Sequence, residues 1–157
     1  APARRWRSKK GEPPERAAER EALGRGRGGL STKVHAVCDA LGNPVRLLLT
    51  PGQRGDVTQA ASLLEGLTPG AVGADTAYDA DHLVSRIALL GAEVVIPPSP
   101  SRSLKRGYDR GLYAERNEVE RFINRLKLNR RIATRYEKTA RNYLSFVLWT
   151  STLVLLR

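Results

Sequence analysis

The sequence predicts an α/β domain in which an antiparallel β-hairpin is joined to a parallel strand pair, with helices flanking the sheet. Three observations carry this reading. "LSTKVHAVCDA", "LGNP" and "VRLLLTPG" alternate apolar and polar residues on either side of a turn, the pattern of a hairpin. "AVGADTAYD", "ADHLVSRIALLG" and "AEVVIPP" follow in strand, helix, strand order, which requires a crossover and therefore a parallel pair. A length of 157 residues suits one domain that can hide ~65–70% of its unfolded surface, so hairpin and crossover unit are expected to share one mixed sheet.

Taken in order, residues 1–29 combine proline, glycine, arginine and glutamate with few apolar residues, and form a basic, mostly flexible lead that is helical only locally around Pro14 to Leu23. Trp6 either stacks on a base or anchors this lead to the body. "GRGRGG" lacks a following Gly-Lys-Ser/Thr and is no phosphate-binding P-loop. The domain proper spans residues 30–157. His35 on the first hairpin strand packs or points to solvent. Asp56 is placed to cap the helix "DVTQAASLLEGL", and Asp79 and Asp81 to cap the next one, which ends at Gly91. Prolines 97 and 98 stop the last strand. The loop "PPSPSRSLKRGYDRG" leads to a charged helix, and the basic link "LNRRIATRYEKTAR" to a final apolar helix, expected to be buried.

Several classes are excluded early. The lone Cys38 can form neither an internal disulfide nor a zinc cluster, which fits a reducing cytosol and a small core residue. The amino end has no apolar core of a signal peptide, and "NYLSFVLWTSTLVLLR" is too short and too hydroxylated for a membrane span. The chain contains no methionine, so it is expected to begin past its natural start. Arg54-Gly55-Asp56, with no export signal, is better explained by helix capping than by adhesion.

The net charge of +11 is unevenly distributed. Residues 1–29 hold nine Lys/Arg against four acids and residues 102–141 thirteen against five, whereas residues 30–100 hold four against seven. Basic blocks around an acidic centre suit a polyanion held at the edges of a site that itself carries negative charge.

The stretch "YAERNEVERFINRLK" (residues 113–127) shows where the two meet. At ~100° per residue from Tyr113, Arg116 falls at about 300°, Glu120 at about 340° and Lys127 at about 320°, one narrow stripe. Leu112, Val119, Phe122, Ile123 and Leu126 lie beside it as the face to be buried. An ordinary amphipathic helix with a solvated charged face is the plain alternative. Asp75 follows the strand "AVGA", at the carboxyl end where ligands gather in such sheets, although a turn or cap aspartate looks the same in sequence. If the helix packs on this sheet, Glu120 approaches Asp75. Two acids ringed by arginine and lysine make a seat for divalent ions facing phosphates, the arrangement that phosphodiester transfer needs. A third acid normally bridges such ions. Asp39 ends a strand at a turn and Asp56 caps a helix, so neither is a convincing third.

These segments resemble the bacterial insertion-sequence transposases with a DDE triad on an RNase H-like fold, in the insertion-sequence four and five groups. The resemblance covers residues 24–157 and rests on "GRGRGGLSTKVHAVCDALGNPVRLLLTPGQRGD", "GADTAYDAD", "VVIPP", "YAERNEVERFINRLK" and "RRIATRYEKTARNYLSF". Its most specific element is the spacing of Tyr113, Arg116, Glu120 and Lys127. It implies that Asp75 and Glu120 are the second and third acids of the triad and the metal ligands, with Mg2+ or Mn2+ as cofactor. It also implies that Tyr113, Arg116 and Lys127, together with Arg130, Arg131 and Arg135 of the basic link, hold DNA. The first acid is expected on a strand before residue 1, leaving this chain alone inactive. Thr76-Ala77 stands where family members usually carry Lys-Gly, and Gly55 where they commonly carry His. The implied partners are double-stranded DNA at the terminal inverted repeats and the target, and further copies of the complete protein; no membrane is involved. Two other readings stay open: a catalytically inactive DNA-binding relic or regulator of transposition, and an RNase H-like nuclease acting on hybrids or junctions.

Overall fold

The computed structural model describes residues 12–26 and 29–156; the expectation for Trp6 lies outside them. Helix α1 (Pro14–Arg20) and strand β1 (Gly24–Gly26) precede the hairpin strands β2 (Gly29–Cys38) and β3 (Pro44–Pro51). Helix α2 (Val57–Leu64), strand β4 (Ala71–Gly73), a 3₁₀ turn (Thr76–Tyr78), helix α3 (Asp81–Leu89) and strand β5 (Glu93–Val95) make the crossover unit. Helices α4 (Arg110–Glu115), α5 (Asn117–Lys127), α6 (Arg130–Ala133) and α7 (Ala140–Leu155) complete the chain. This mixed α/β arrangement is consistent with an RNase H-like fold.

The hairpin is antiparallel in the register Val34↔Leu49 and Ala36↔Leu47, with an irregularity between Val37 and Cys38. Its turn is organised by Asp39, whose carboxylate accepts the amides of Leu41 and Asn43 at 2.9 Å each while Gly42 takes a φ of 80°. β4 and β5 pair in parallel, Val72 opposite Val94, and Gly91 closes α3 with a φ of 73°. The expected single mixed sheet is divided: β1-β2-β3 form one ladder and β4-β5 another, and no ladder joins the two among the described residues.

Each half-sheet has its own core. Ala60, Leu64, Leu83, Ile87 and Ile96 pack α2 and α3 on the parallel pair. Phe122, Leu126, Ile132, Tyr143 and Val147 pack α5, α6 and α7 on the hairpin residues Val34, Ala36, Leu47 and Leu49. Burying a side chain such as Phe122, only 2% exposed, contributes about 2–3 kcal/mol. The α1 region docks on the body as well, with Ala17, Ala22 and Leu23 buried. The Ala140 amide donates to Glu21 Oε2 at 2.7 Å. The described part of the lead, residues 12–26, is thus packed on the body.

Three local expectations are corrected. The predicted 113–127 helix is broken: α4 ends at Glu115, α5 starts at Asn117, and Arg116 is the joint, its amide bonding back only as far as the Tyr113 carbonyl. Helix α7 is buried on one face alone, because it caps the hairpin side of the molecule; Trp149 is 64% exposed, and Leu148, Leu153 and Leu156 are also exposed. Asp56 sits at the start of α2 but makes no capping bond, because Lys33 Nζ claims its carboxylate at 2.9 Å. No helix among the described residues is long and apolar enough to cross a membrane.

Candidate active site

Between the half-sheets lies a cavity of about 700 Å³. It is lined by every residue of β2 from Thr32 to Val37 and by every residue from Val72 to Asp75. Successive strand residues point to opposite faces of a sheet. A hollow that touches each of them in turn therefore lies against the strand edges. An adjoining cavity of about 570 Å³ continues along Ala36 to Ala40 and Gly70 to Gly73. Together they form a slot between β2 and β4: β2 pairs with β1 only over Gly29–Ser31 and with β3 from Thr32 on, β4 pairs with β5, and along Thr32–Cys38 and Ala71–Gly73 neither has a further strand partner among the described residues.

Asp75 and Glu120 both line this slot, together with Arg116 and Lys127. Asp75 is delivered by the carboxyl end of β4 and held by its own turn, its Oδ1 accepting the Ala77 amide at 3.0 Å. It is thus both things that the sequence allowed, a turn aspartate and a strand-end acid. Glu120 comes from the first turn of α5, whose apolar side packs on β2 rather than on the parallel pair. Helix α4 is the element that packs on β4 and β5. The joint at Arg116 thus lets one helical segment touch both half-sheets, and Glu120 lines the same cavity as Asp75.

Arg116 is linked to both acids. Its Nη1 donates to Glu120 Oε1 at 2.6 Å, and its guanidinium lies 5.3 Å from the centre of the Tyr113 ring. Burial acts to lower its pKa, but the bond to Glu120 and the carboxylate charges of Glu120 and Asp75 help to raise it overall, so both acids act on this one cation. Its Nε is buried with no hydrogen-bond partner, an orphan donor turned toward a place where an acceptor is lacking. Three of the four stripe residues, Arg116, Glu120 and Lys127, line the one cavity despite the break in the helix.

The rest of the slot wall is mainly apolar, with a few polar residues set into it. His35, 5% exposed, shares a hydrogen bond of 2.7 Å between Nε2 and Thr50 Oγ1 and lies 3.9 Å from Asp56. Burial lowers its pKa, outweighing Asp56, so the ring is neutral near pH 7. Tyr78 is pushed up to about 12, first by burial and then by Asp56 and Asp75. Burial, with Asp39 and Glu118, pushes the half-buried Cys38 thiol up to about 11, an inert position.

The cations of the basic link separate. Arg130 is exposed. Arg131 pairs with Glu137 at 2.9 Å and lies over Phe146. Arg135 turns inward: Nη1 donates to the Glu21 carbonyl at 2.7 Å and to Thr32 Oγ1 at 2.6 Å, and the guanidinium lies over Tyr143. It ties the α1 region to the hairpin, and burial lowers its pKa.

Sequence reasoning missed Asp79. The side chain, expected to cap α3, has no exposed surface and accepts the Ser99 amide at 2.6 Å, Arg102 Nε at 2.7 Å and Arg106 Nη2 at 2.6 Å. Burial would push its carboxyl up, but the bonds from Arg102, Ser99 and Arg106 hold it well below the usual carboxylate range. The only sequence signal was a cation-rich loop, "SRSLKR", without an evident anion.

The chain matches the family model described as "Transposase DDE domain" over residues 8–155. It belongs to the DDE transposase family. A curated relative, "Putative transposase for insertion sequence element IS6501" of Brucella ovis, is 48% identical over 130 residues, covering 82% of this chain and 100% of the relative. No solved structure matches significantly. Divalent ions are general in DDE transposases, and Asp75 and Glu120 offer the hard oxygen donors that such ions prefer. Among the described residues of this transposase domain, no group of three or more acidic, histidine or cysteine side chains lies close enough together to hold one. The donor type fits, and the donor number is two.

Proposed function

We propose that this domain cleaves and joins DNA strands during transposition of an insertion sequence, with Asp75 and Glu120 as its metal ligands. The observation that supports this most is that the two acids, on separate elements, line one cavity and act on the same arginine. Bound there, Mg2+ or Mn2+ would activate the attacking oxygen and stabilise the leaving one. The side chains have distinct tasks in this reading. Arg116, which pairs with Glu120 here, would present its fork to a phosphate if Glu120 held an ion instead. Lys127 on the same rim and Arg130 beyond it hold the backbone, and Tyr113 supports the Arg116 guanidinium from its ring face. Arg135 is a structural tie.

The slot supports a second part of the proposal. One further extended strand lying between β2 and β4 would satisfy both edges, join the half-sheets into one mixed sheet and bring a third carboxylate to Asp75 and Glu120. It would also supply the acceptor that Arg116 Nε lacks. The 157-residue chain by itself is then expected to bind DNA without cutting it. In the complete protein, double-stranded inverted-repeat and target DNA are the substrates, acted on by an oligomer in the bacterial cytoplasm.

The test is strand cleavage of inverted-repeat DNA by complete protein in Mg2+. Asp75→Asn and Glu120→Gln should each abolish cleavage and leave DNA binding within about threefold, since neither removes a cation. Cleavage surviving Glu120→Gln would remove that residue from the site. The two-acid donor set favours one alternative, a non-catalytic DNA binder that competes for ends. It predicts salt-sensitive binding and no cleavage even when the upstream segment is supplied.

A further inference from the structure

The loop joining β5 to α4, residues 97–109, leaves the same carboxyl end of the parallel pair that carries Asp75. It has no regular structure, yet it is tied at three points to one buried carboxylate. Ser99, Arg102 and Arg106 all donate to Asp79, and the free arm of Arg102 reaches Asp81 at 2.6 Å. Both arginines keep about a quarter of their surface in water, 24% and 27%. Lys105, between them, is exposed. The far end of the loop runs into the site: Tyr108 meets the Tyr113 ring edge-on at 5.4 Å, Tyr113 lies under Arg116, and Arg116 holds Glu120.

A loop without regular structure whose Arg102, Lys105 and Arg106 crowd within five residues should repel itself there and sample many shapes, a conformational freedom that a binding event must remove. Here the carboxylate of Asp79 removes it in advance. We propose that Asp79 is a positioning residue that latches the basic loop 97–109 beside Asp75, so that Lys105 and the exposed flanks of Arg102 and Arg106 form a preset contact for nucleic-acid phosphates flanking the acids. This rests on the reading of the domain as a DNA strand-transferring enzyme, and assigns to it a phosphate-gripping element outside the helix that carries Glu120.

The sign of one substitution separates latch from simple charge. Asp79→Asn removes a negative charge from a basic chain, so electrostatics alone tightens binding to DNA. A latch predicts the reverse, a loss of about threefold to tenfold, because the loop must be ordered on binding. The measurement is fluorescence anisotropy of a short labelled duplex with the 157-residue chain, at a temperature where circular dichroism shows both proteins folded. Trypsin should cut after Arg102, Lys105 and Arg106 at least about tenfold faster in Asp79→Asn, as a locally opened loop is cut. Lys105→Gln should weaken binding in the parent and much less in Asp79→Asn, a coupling that a merely stabilising residue does not produce.

Equal or tighter binding by a folded Asp79→Asn with an uncut loop overturns the latch and leaves the transposase reading intact. Failure of the parent chain to bind DNA at all overturns both. Should Asp79→Asn not fold, Arg106→Gln keeps Arg102 and the Ser99 amide on Asp79. Faster tryptic cutting after Arg102 and Lys105 in that variant supports the latch, and unchanged cutting overturns it.

Discussion

Asp75 and Asp79 lie on one short stretch after β4 and do opposite things. Asp75 is exposed at the slot rim and takes the Ala77 amide. Asp79 has no exposed surface and takes two arginines and an amide. A carboxylate that is paid for by three donors is committed to structure, whereas one that stays exposed on a cavity lined by a second acid is available to a ligand. The large downward shift at Asp79 therefore marks an ion-pair clamp, a reminder that perturbed acids locate structure as readily as chemistry.

The contrast is open to attack at several sizes. Asp79→Asn leaves Arg106 without its anion and Arg102 with Asp81 alone, and should cost about 1–3 kcal/mol in urea unfolding, whereas Asp75→Asn and Glu120→Gln should each stay within about 0.5 kcal/mol of the parent. A rim acid that proved as costly as Asp79 would erase the distinction. Among the arginines the same split is expected. Arg135→Gln, which loses bonds to the Glu21 carbonyl and Thr32, should cost about 1–2 kcal/mol with little effect on the salt dependence of DNA binding. Arg130→Gln should be neutral in stability and lower the salt slope by about one.

Acid titration sharpens the comparison further. Asp79 is held below its ordinary value of 3.8 in the folded chain, so its stabilisation is present above that pH and drains away as pH falls toward the folded value. The melting temperature of the parent should therefore fall more steeply between about pH 5 and pH 2 than that of Asp79→Asn. Parallel curves would mean that Asp79 titrates alike folded and unfolded. The smallest effect is at Arg116: its exposed pair with Glu120 is worth at most about 1 kcal/mol, so Arg116→Gln should change DNA affinity more than stability.

Much of this was legible in the sequence because it is local. Alternation around "LGNP" specifies the hairpin, and Asp39 with Gly42 shows why that turn forms. The strand–helix–strand order yields the parallel pair. The spacing of Arg116, Glu120 and Lys127 put three residues on one rim, even though the helix breaks at Arg116. What stayed hidden depends on partners distant in the chain. Asp79 meets Arg102 and Arg106 across 23 and 27 residues, and Arg135 reaches Glu21 across 114; no periodicity encodes such meetings. A lone Asp before a helix looks like a cap, as Asp56 and Asp79 both did, until a lysine or two arginines claim it. Strand propensity likewise says nothing about which edges remain unpaired; only the family resemblance, which implied a further strand, pointed to a gap in the sheet.

The central claim, that Asp75 and Glu120 share one ion site at the slot, is tested most directly by Mn2+ titration of the isotope-labelled 157-residue chain, followed by amide NMR. The account predicts that paramagnetic broadening appears at the same Mn2+ concentration around Asp75–Ala77 and around Glu120–Arg121, and that Asp75→Asn removes it from both. Broadening confined to one of the two segments, or unaltered around Glu120 in Asp75→Asn, would contradict it.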